Sequence, residues 1–137
     1  ALSFAAMTAA PAAQAAAGPV RPAATRLLPA PGHQAAPAVI RCRIAVVIRF
    51  PHPLDATGKL TCSGGVRRIT MRVTIYRRTR PVRSQAFTHT STRSLKRTIY
   101  TGCVSGRYHA AAVGKVRTKS GHVLSGGAKT RTVTVRC

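Results

Sequence analysis

Ile40, Cys42, Ile44, Val46 and Ile48 take every second position of "VIRCRIAVVIRF" (39–50), and Arg41, Arg43 and Arg49 fall between and beyond them. Strict alternation marks a strand with one buried face, because successive side chains of an extended chain point to opposite sides of a sheet. The same period returns in "RITMRVTIYR", where Ile69, Met71, Val73 and Ile75 share one face and Arg68, Thr70, Arg72, Thr74 and Tyr76 the other. Tyr108, Ala110, Ala112 and Val116 line one side of "GRYHAAAVGKVRT", and Val133 and Val135 one side of "KTRTVTVRC". "KLTCS", "VRSQAFTHT" and "LKRTIYTGC" are weaker strands; in the last, Arg97 falls in register with Leu95 and Ile99. Turn-forming residues separate these runs: "PHPLDATG", Gly64-Gly65, "RTRP" as a hairpin turn, and "SGG" at 125–127. No segment carries a helical period.

About seven short strands without a helix predict an all-β fold. The expected form is a single immunoglobulin-like antiparallel β-sandwich over residues 39–137, with a small barrel as the alternative. Three Phe, three Tyr and no Trp leave a core of Ile, Val, Ala and Met, so covalent links gain importance. Cys42, Cys62, Cys103 and Cys137 are even in number and lack close CxxC spacing, which points to two disulfides in an oxidising compartment and away from a metal site. Four cysteines allow three pairings. The pairing of sequence neighbours, Cys42–Cys62 and Cys103–Cys137, is preferred, each bridge contributing roughly 2–4 kcal/mol.

The first 20 residues carry no charge. Their apolar start and the small-x-small sites Ala13-Gln14-Ala15 and Ala15-Ala16-Ala17 predict that residues 1–17 are the remnant of a secretory signal peptide, too short to span a bilayer. Residues 18–38 hold five prolines, which predicts a disordered Ala/Pro-rich arm. Leu27 and Leu28 are its candidate anchors on a partner, the alternative being a plain spacer. No transmembrane segment is expected.

Charge changes the picture most. Against 23 Lys and Arg stands one acid, Asp55, for a formal net charge of +22. A salt-bridged surface is excluded, and self-repulsion must be screened or met by an anionic partner. One carboxylate also excludes two-carboxylate hydrolysis. Asp55 lies in a Pro-rich stretch read as a loop, no GxSxG accompanies a serine, and His33, His52, His89, His109 and His122 are dispersed. No catalytic residue, metal or cofactor is expected.

The binding candidates are the outward strand cations Arg41, Arg43, Arg68 and Arg72, together with Arg77, Arg78, Arg80 and Arg83 around the hairpin tip. Tyr76-Arg77-Arg78-Thr79-Arg80-Pro81 fits the x-B-B-x-B-x pattern associated with sulfated polysaccharides. Such side chains bind carboxylate, sulfate or phosphate. Nucleic acid binding would be non-specific, since no helix is available for a major groove and few aromatics for stacking. The expected partner is an acidic protein surface or an anionic polysaccharide.

"TCSGG" at 61–65, "ITMRVTIYRRTRPV" at 69–82, "CVSGRYHAAAVG" at 103–114 and "VTVRC" at 133–137, after an Ala/Pro-rich leader, resemble small secreted actinobacterial disulfide-bonded β-sandwich proteins. Among these are the adaptor subunits of Streptomyces umbrella toxin particles. The resemblance implies an adaptor that joins a lectin subunit to a toxin-bearing stalk through a flexible N-terminal segment. The basicity and the "RTRP" tip depart from that pattern. The combined expectation is a secreted, extracellular, non-enzymatic binding module. Its preferred role is a protein–protein adaptor with an acidic partner in an antibacterial toxin assembly. The alternative is a free cationic effector that binds anionic cell-envelope polymers or polysaccharide.

Overall fold

The computed structural model describes residues 22–28 and 40–137. The predicted signal-peptide remnant, 1–17, and most of the predicted arm lie outside the described residues. Among the described residues seven strands follow in order: β1 (Ala23–Leu27), β2 (Cys42–Arg49), β3 (Leu54–Arg77), β4 (Arg80–Thr101), β5 (Gly106–Arg117), β6 (Val123–Lys129) and β7 (Val133–Val135). Among the described residues there is no helix. All seven strands belong to one antiparallel sheet, ordered β1-β2-β3-β5-β6, with β4 also paired to β3 and β7 to β5.

β3 organises the molecule. Its first part is paired with β2 on one side and β4 on the other. A register shift lies between Thr61 and Val66, and beyond it, from Arg68 to Arg77, β3 runs between β4 and β5. The change of partner at this irregularity lets the sheet curl, as bulges do. β2 then packs over β5 and β6, and β1 over β6. Gly64 sits at the bend, where an added Cβ would come within 2.8 Å of Ile40 Cδ1. The result is nearly barrel-shaped. The all-β expectation holds, while the hydrogen-bonding ladder is continuous through one sheet and does not form the expected immunoglobulin-like pair of sheets.

The alternating apolar positions meet inside. Ile44 and Ile48 of β2, Ile69, Met71, Val73 and Ile75 of β3, and Ala110, Ala112 and Val116 of β5 have no exposed surface. Tyr108 is also buried, and its hydroxyl donates to the Val104 carbonyl, holding the β4–β5 connection to β5. Each large aliphatic side chain removed from water contributes about 1.5–3 kcal/mol. Both preferred disulfides are present: Cys42–Cys62 joins directly opposed residues of β2 and β3, and Cys103–Cys137 joins the β4–β5 connection to the segment after β7.

Several local expectations are corrected. Residues 23–27 of the predicted disordered arm form β1, paired with Arg43–Val47 of β2. Leu28 is buried in this chain's own core, and a Cβ at Gly126 would lie 3.2 Å from its side chain. The "SGG" at 125–127 therefore lies inside β6, not in a turn. Gly64-Gly65 is likewise a bend within β3. Asp55 is the second residue of that strand, not part of a loop. "VRSQAFTHT" and "LKRTIYTGC" fuse into the single strand β4, while the "RTRP" hairpin turn forms where expected, at Arg78-Thr79.

Candidate binding surface

The chain's only acidic side chain is spent internally. Asp55 has no exposed surface and lies directly opposite Arg49, which donates from Nε to Oδ1 (3.1 Å) and from Nη2 to Oδ2 (2.6 Å). The hydrogen bond and charge of Asp55 raise the Arg49 pKa above its usual value. No carboxylate side chain remains for the other cations.

Those cations are also set against one another. Lys59 of β3 is directly opposite Lys96 of β4, Arg68 of β3 opposite Arg117 of β5, and Arg77 opposite Arg80 at the hairpin tip. All six are exposed. Like charges directly opposed across a ladder destabilise it, by about 0.2–1 kcal/mol on the scale of cross-strand pairs.

The predicted cations fall into three groups, with Arg83 apart from them. Arg41 and Arg43 line a cleft of about 600 Å³ on the outer face of β1, β2 and the first part of β3, with Thr25, Leu27, Lys59, Thr61 and Ser63. The register builds it. Leu27, Arg43 and Thr61 form one cross-strand row and Thr25, Ala45 and Lys59 the next, with the small Ala45 at the centre. Ser63 fixes Arg41: its hydroxyl accepts from the Arg41 N–H (3.0 Å), and its own N–H donates to the Arg41 carbonyl (2.8 Å). The buried Cys42–Cys62 bridge lies between these residues. Three cations beside three hydroxyls form a surface that can bind a carboxylate, sulfate or phosphate.

Arg68 and Arg72 stand on the outer face of the second part of β3, near Lys115 and Arg117 of β5. Arg72 donates to the Ser84 hydroxyl at 3.1 Å. Arg77, Arg78 and Arg80 gather at the hairpin tip. Arg77 donates to the Ser105 carbonyl (2.9 Å), and the Arg78 N–H donates to the Arg107 carbonyl (2.8 Å). Arg83 lies on β4 opposite Ile75, on the other face from Arg72. Of the two arm anchors, Leu27 is exposed at the cleft while Leu28 is buried. Sequence reasoning missed Lys59, Thr61 and Ser63. Their polar alternation in "GKLTCSG" was the available signal.

His109 of β5 stacks on Tyr76 of β3, with ring centroids 4.7 Å apart. Burial, and then the charge of Lys129, lower its pKa. Among the described residues no helix is long and apolar enough to cross a membrane. In comparisons with known proteins, the chain matches no family model, no curated protein and no solved structure.

Proposed function

We propose that this chain is a secreted, non-enzymatic binding module whose partner is an acidic protein surface. The observation that carries the reading is the set of opposed cation pairs, Lys59–Lys96, Arg68–Arg117 and Arg77–Arg80. Charge kept where it weakens a ladder is explained by a partner that neutralises it. The cleft around Arg41, Arg43 and Lys59 is the proposed contact for the partner's carboxylates. Two disulfides fit an oxidising, extracellular setting. The resemblance to umbrella-particle adaptors supplies a context, an antibacterial toxin assembly in which this chain bridges two other subunits.

The exposed x-B-B-x-B-x tip favours a second reading, a free cationic effector on anionic envelope polymers or polysaccharide. One experiment separates the two. The immobilised chain is exposed to the producing culture's supernatant and eluted with rising salt. An acidic protein should be retained, and the triple variant Arg41→Glu, Arg43→Glu, Lys59→Glu should lose it. Retention of polysaccharide alone, or the same protein on both columns, would remove the adaptor reading. Binding of the purified chain to intact bacteria would then support the effector.

A further inference from the structure

We propose that the outer edge of β4 from Val82 to Thr90 accepts an extended acidic segment of the partner as an added strand. This deepens the acidic-partner reading and rests on it for the sign of the segment's charge.

Among the described residues, β4 pairs with β3 and with no other strand. Alternate backbone N–H and C=O groups therefore face away from the sheet, the arrangement that templates strand addition. Sheet edges are normally blunted by charge, proline or backbone irregularity. β4 carries most of those devices on either side of this stretch. Pro81 stands at its start. Ser91 has a positive φ of 53°. Arg93, Lys96 and Arg97 follow, and the Arg97 guanidinium donates to the Lys96 carbonyl at 2.8 Å. Between them, "VRSQAFTHT" has one formal charge, Arg83, and neither Pro nor Gly. Its Val, Phe and Thr residues are at home in strands. Every residue from Val82 to Thr90 is exposed except the half-buried Phe87. The Arg97 guanidinium lies 5.8 Å from the centre of the Phe87 ring, on the face that Phe87 shares with Met71, so the backbone edge itself stays open over an ordinary strand length.

The surroundings specify the occupant. Arg72 is opposite Ala86 and Arg68 opposite Thr90, so both cations stand one strand in from the edge, behind small side chains. A strand added to β4 would lie two strand spacings from β3, about 10 Å. A glutamate beside Ala86 and an arginine at 72 can together span that distance. A second acid four residues along would face Arg68. A shallow depression of about 390 Å³, lined in part by Thr70, Arg72, Ala86 and Lys115, lies on the same face. A second copy fits poorly, because it would bring together two bodies of net charge +22, each with its single acid buried in its own ion pair.

The test uses the full chain, isotopically labelled, and three capped nine-residue peptides. One alternates Glu and Val, one is the same peptide N-methylated at every second residue, and one alternates Lys and Val. The Glu/Val peptide should protect amides within Val82–Thr90 from exchange. The N-methylated form should bind at least tenfold more weakly, and the Lys/Val form not at all. The double variant Arg68→Glu, Arg72→Glu should reverse the preference toward Lys/Val. Equal binding of the N-methylated peptide would overturn the proposal, as would protection confined to the Arg41–Arg43 cleft. A dimer that protects residues 82–90 without peptide would assign the edge to a second copy and also overturn it. If the edge fails while the cleft-dependent capture of an acidic protein persists, the adaptor reading stands alone. Strand addition at β4 without any captured acidic protein would remove the adaptor role and keep the edge.

Discussion

β3 and β4 are partners along most of their lengths, 24 and 22 residues, and share one local conformation, yet outside the pairs Leu60–Leu95 and Ala56–Ile99 their environments differ sharply. Met71 has no exposed surface, whereas Phe87, directly across from it, is half-buried. Asp55 is fully buried and its opposite number Tyr100 is 58% exposed. Ile75 faces Arg83, and Ile69 faces His89, with the same contrast. The difference lies in the flanking strands. β3 has β2 and then β5 on its second side, whereas β4 has nothing there among the described residues. Place in the sheet, more than strand propensity, decides which residues a strand can afford to make polar. Buried side chains are thus concentrated in β3, and β4 adds only Leu95 and Ile99 to the core.

The largest effect should separate two residues in one cross-strand pair. Met71→Ala is expected to cost about 2–5 kcal/mol, and Phe87→Ala about 1 kcal/mol or less, measured by urea unfolding at neutral pH. Equal losses would break the comparison. Next is Asp55→Asn, expected to cost about 1–3 kcal/mol because it weakens a buried charge-assisted pair, while Tyr100→Ala changes stability by less than about 0.5 kcal/mol. A smaller effect of opposite sign is expected at the turn between the two strands. Arg78 is held in the left-handed region at φ 61°, so Arg78→Gly should stabilise by about 1 kcal/mol, seen as a raised Tm. An unchanged or lowered Tm would mean that contacts of the Arg78 side chain offset the backbone cost.

The smallest effect lies on β3's other flank, at the Tyr76–His109 stack. The folded-state pKa of His109 lies below the ordinary 6.5, so the fold favours the neutral ring. That contribution is complete above pH 6.5, the unfolded value, and is lost as pH falls through the folded value. Stability should therefore decline slightly from pH 7 to pH 5, and His109→Gln should flatten that part of the profile. A slope that survives the substitution would assign it to other groups.

The central strands were legible because a half-buried strand between two neighbours must alternate, as at Ile40–Ile48 and Ile69–Ile75. The hairpin at Arg78-Thr79 and both disulfides were legible for similarly local reasons. β4 was split in two because an edge strand exposed on both faces has no need to alternate between Val82 and Thr90. β6 was missed because the reason for its glycines is distant in sequence: Gly126 leaves room for Leu28. β1 was missed because the Ala/Pro-rich composition around it conceals a five-residue strand whose support comes from β2. Of the candidate binding surface, the cations could be read from sequence. Their opposition in pairs could not, since it depends on register.

The enclosure of Asp55 also decides what can screen the molecule. Its carboxylate is buried against a guanidinium, so every side-chain charge left at the surface is positive. Dissolved anions screen those charges over about 8 Å at physiological ionic strength, and lowering the salt lengthens the reach of the cationic surface.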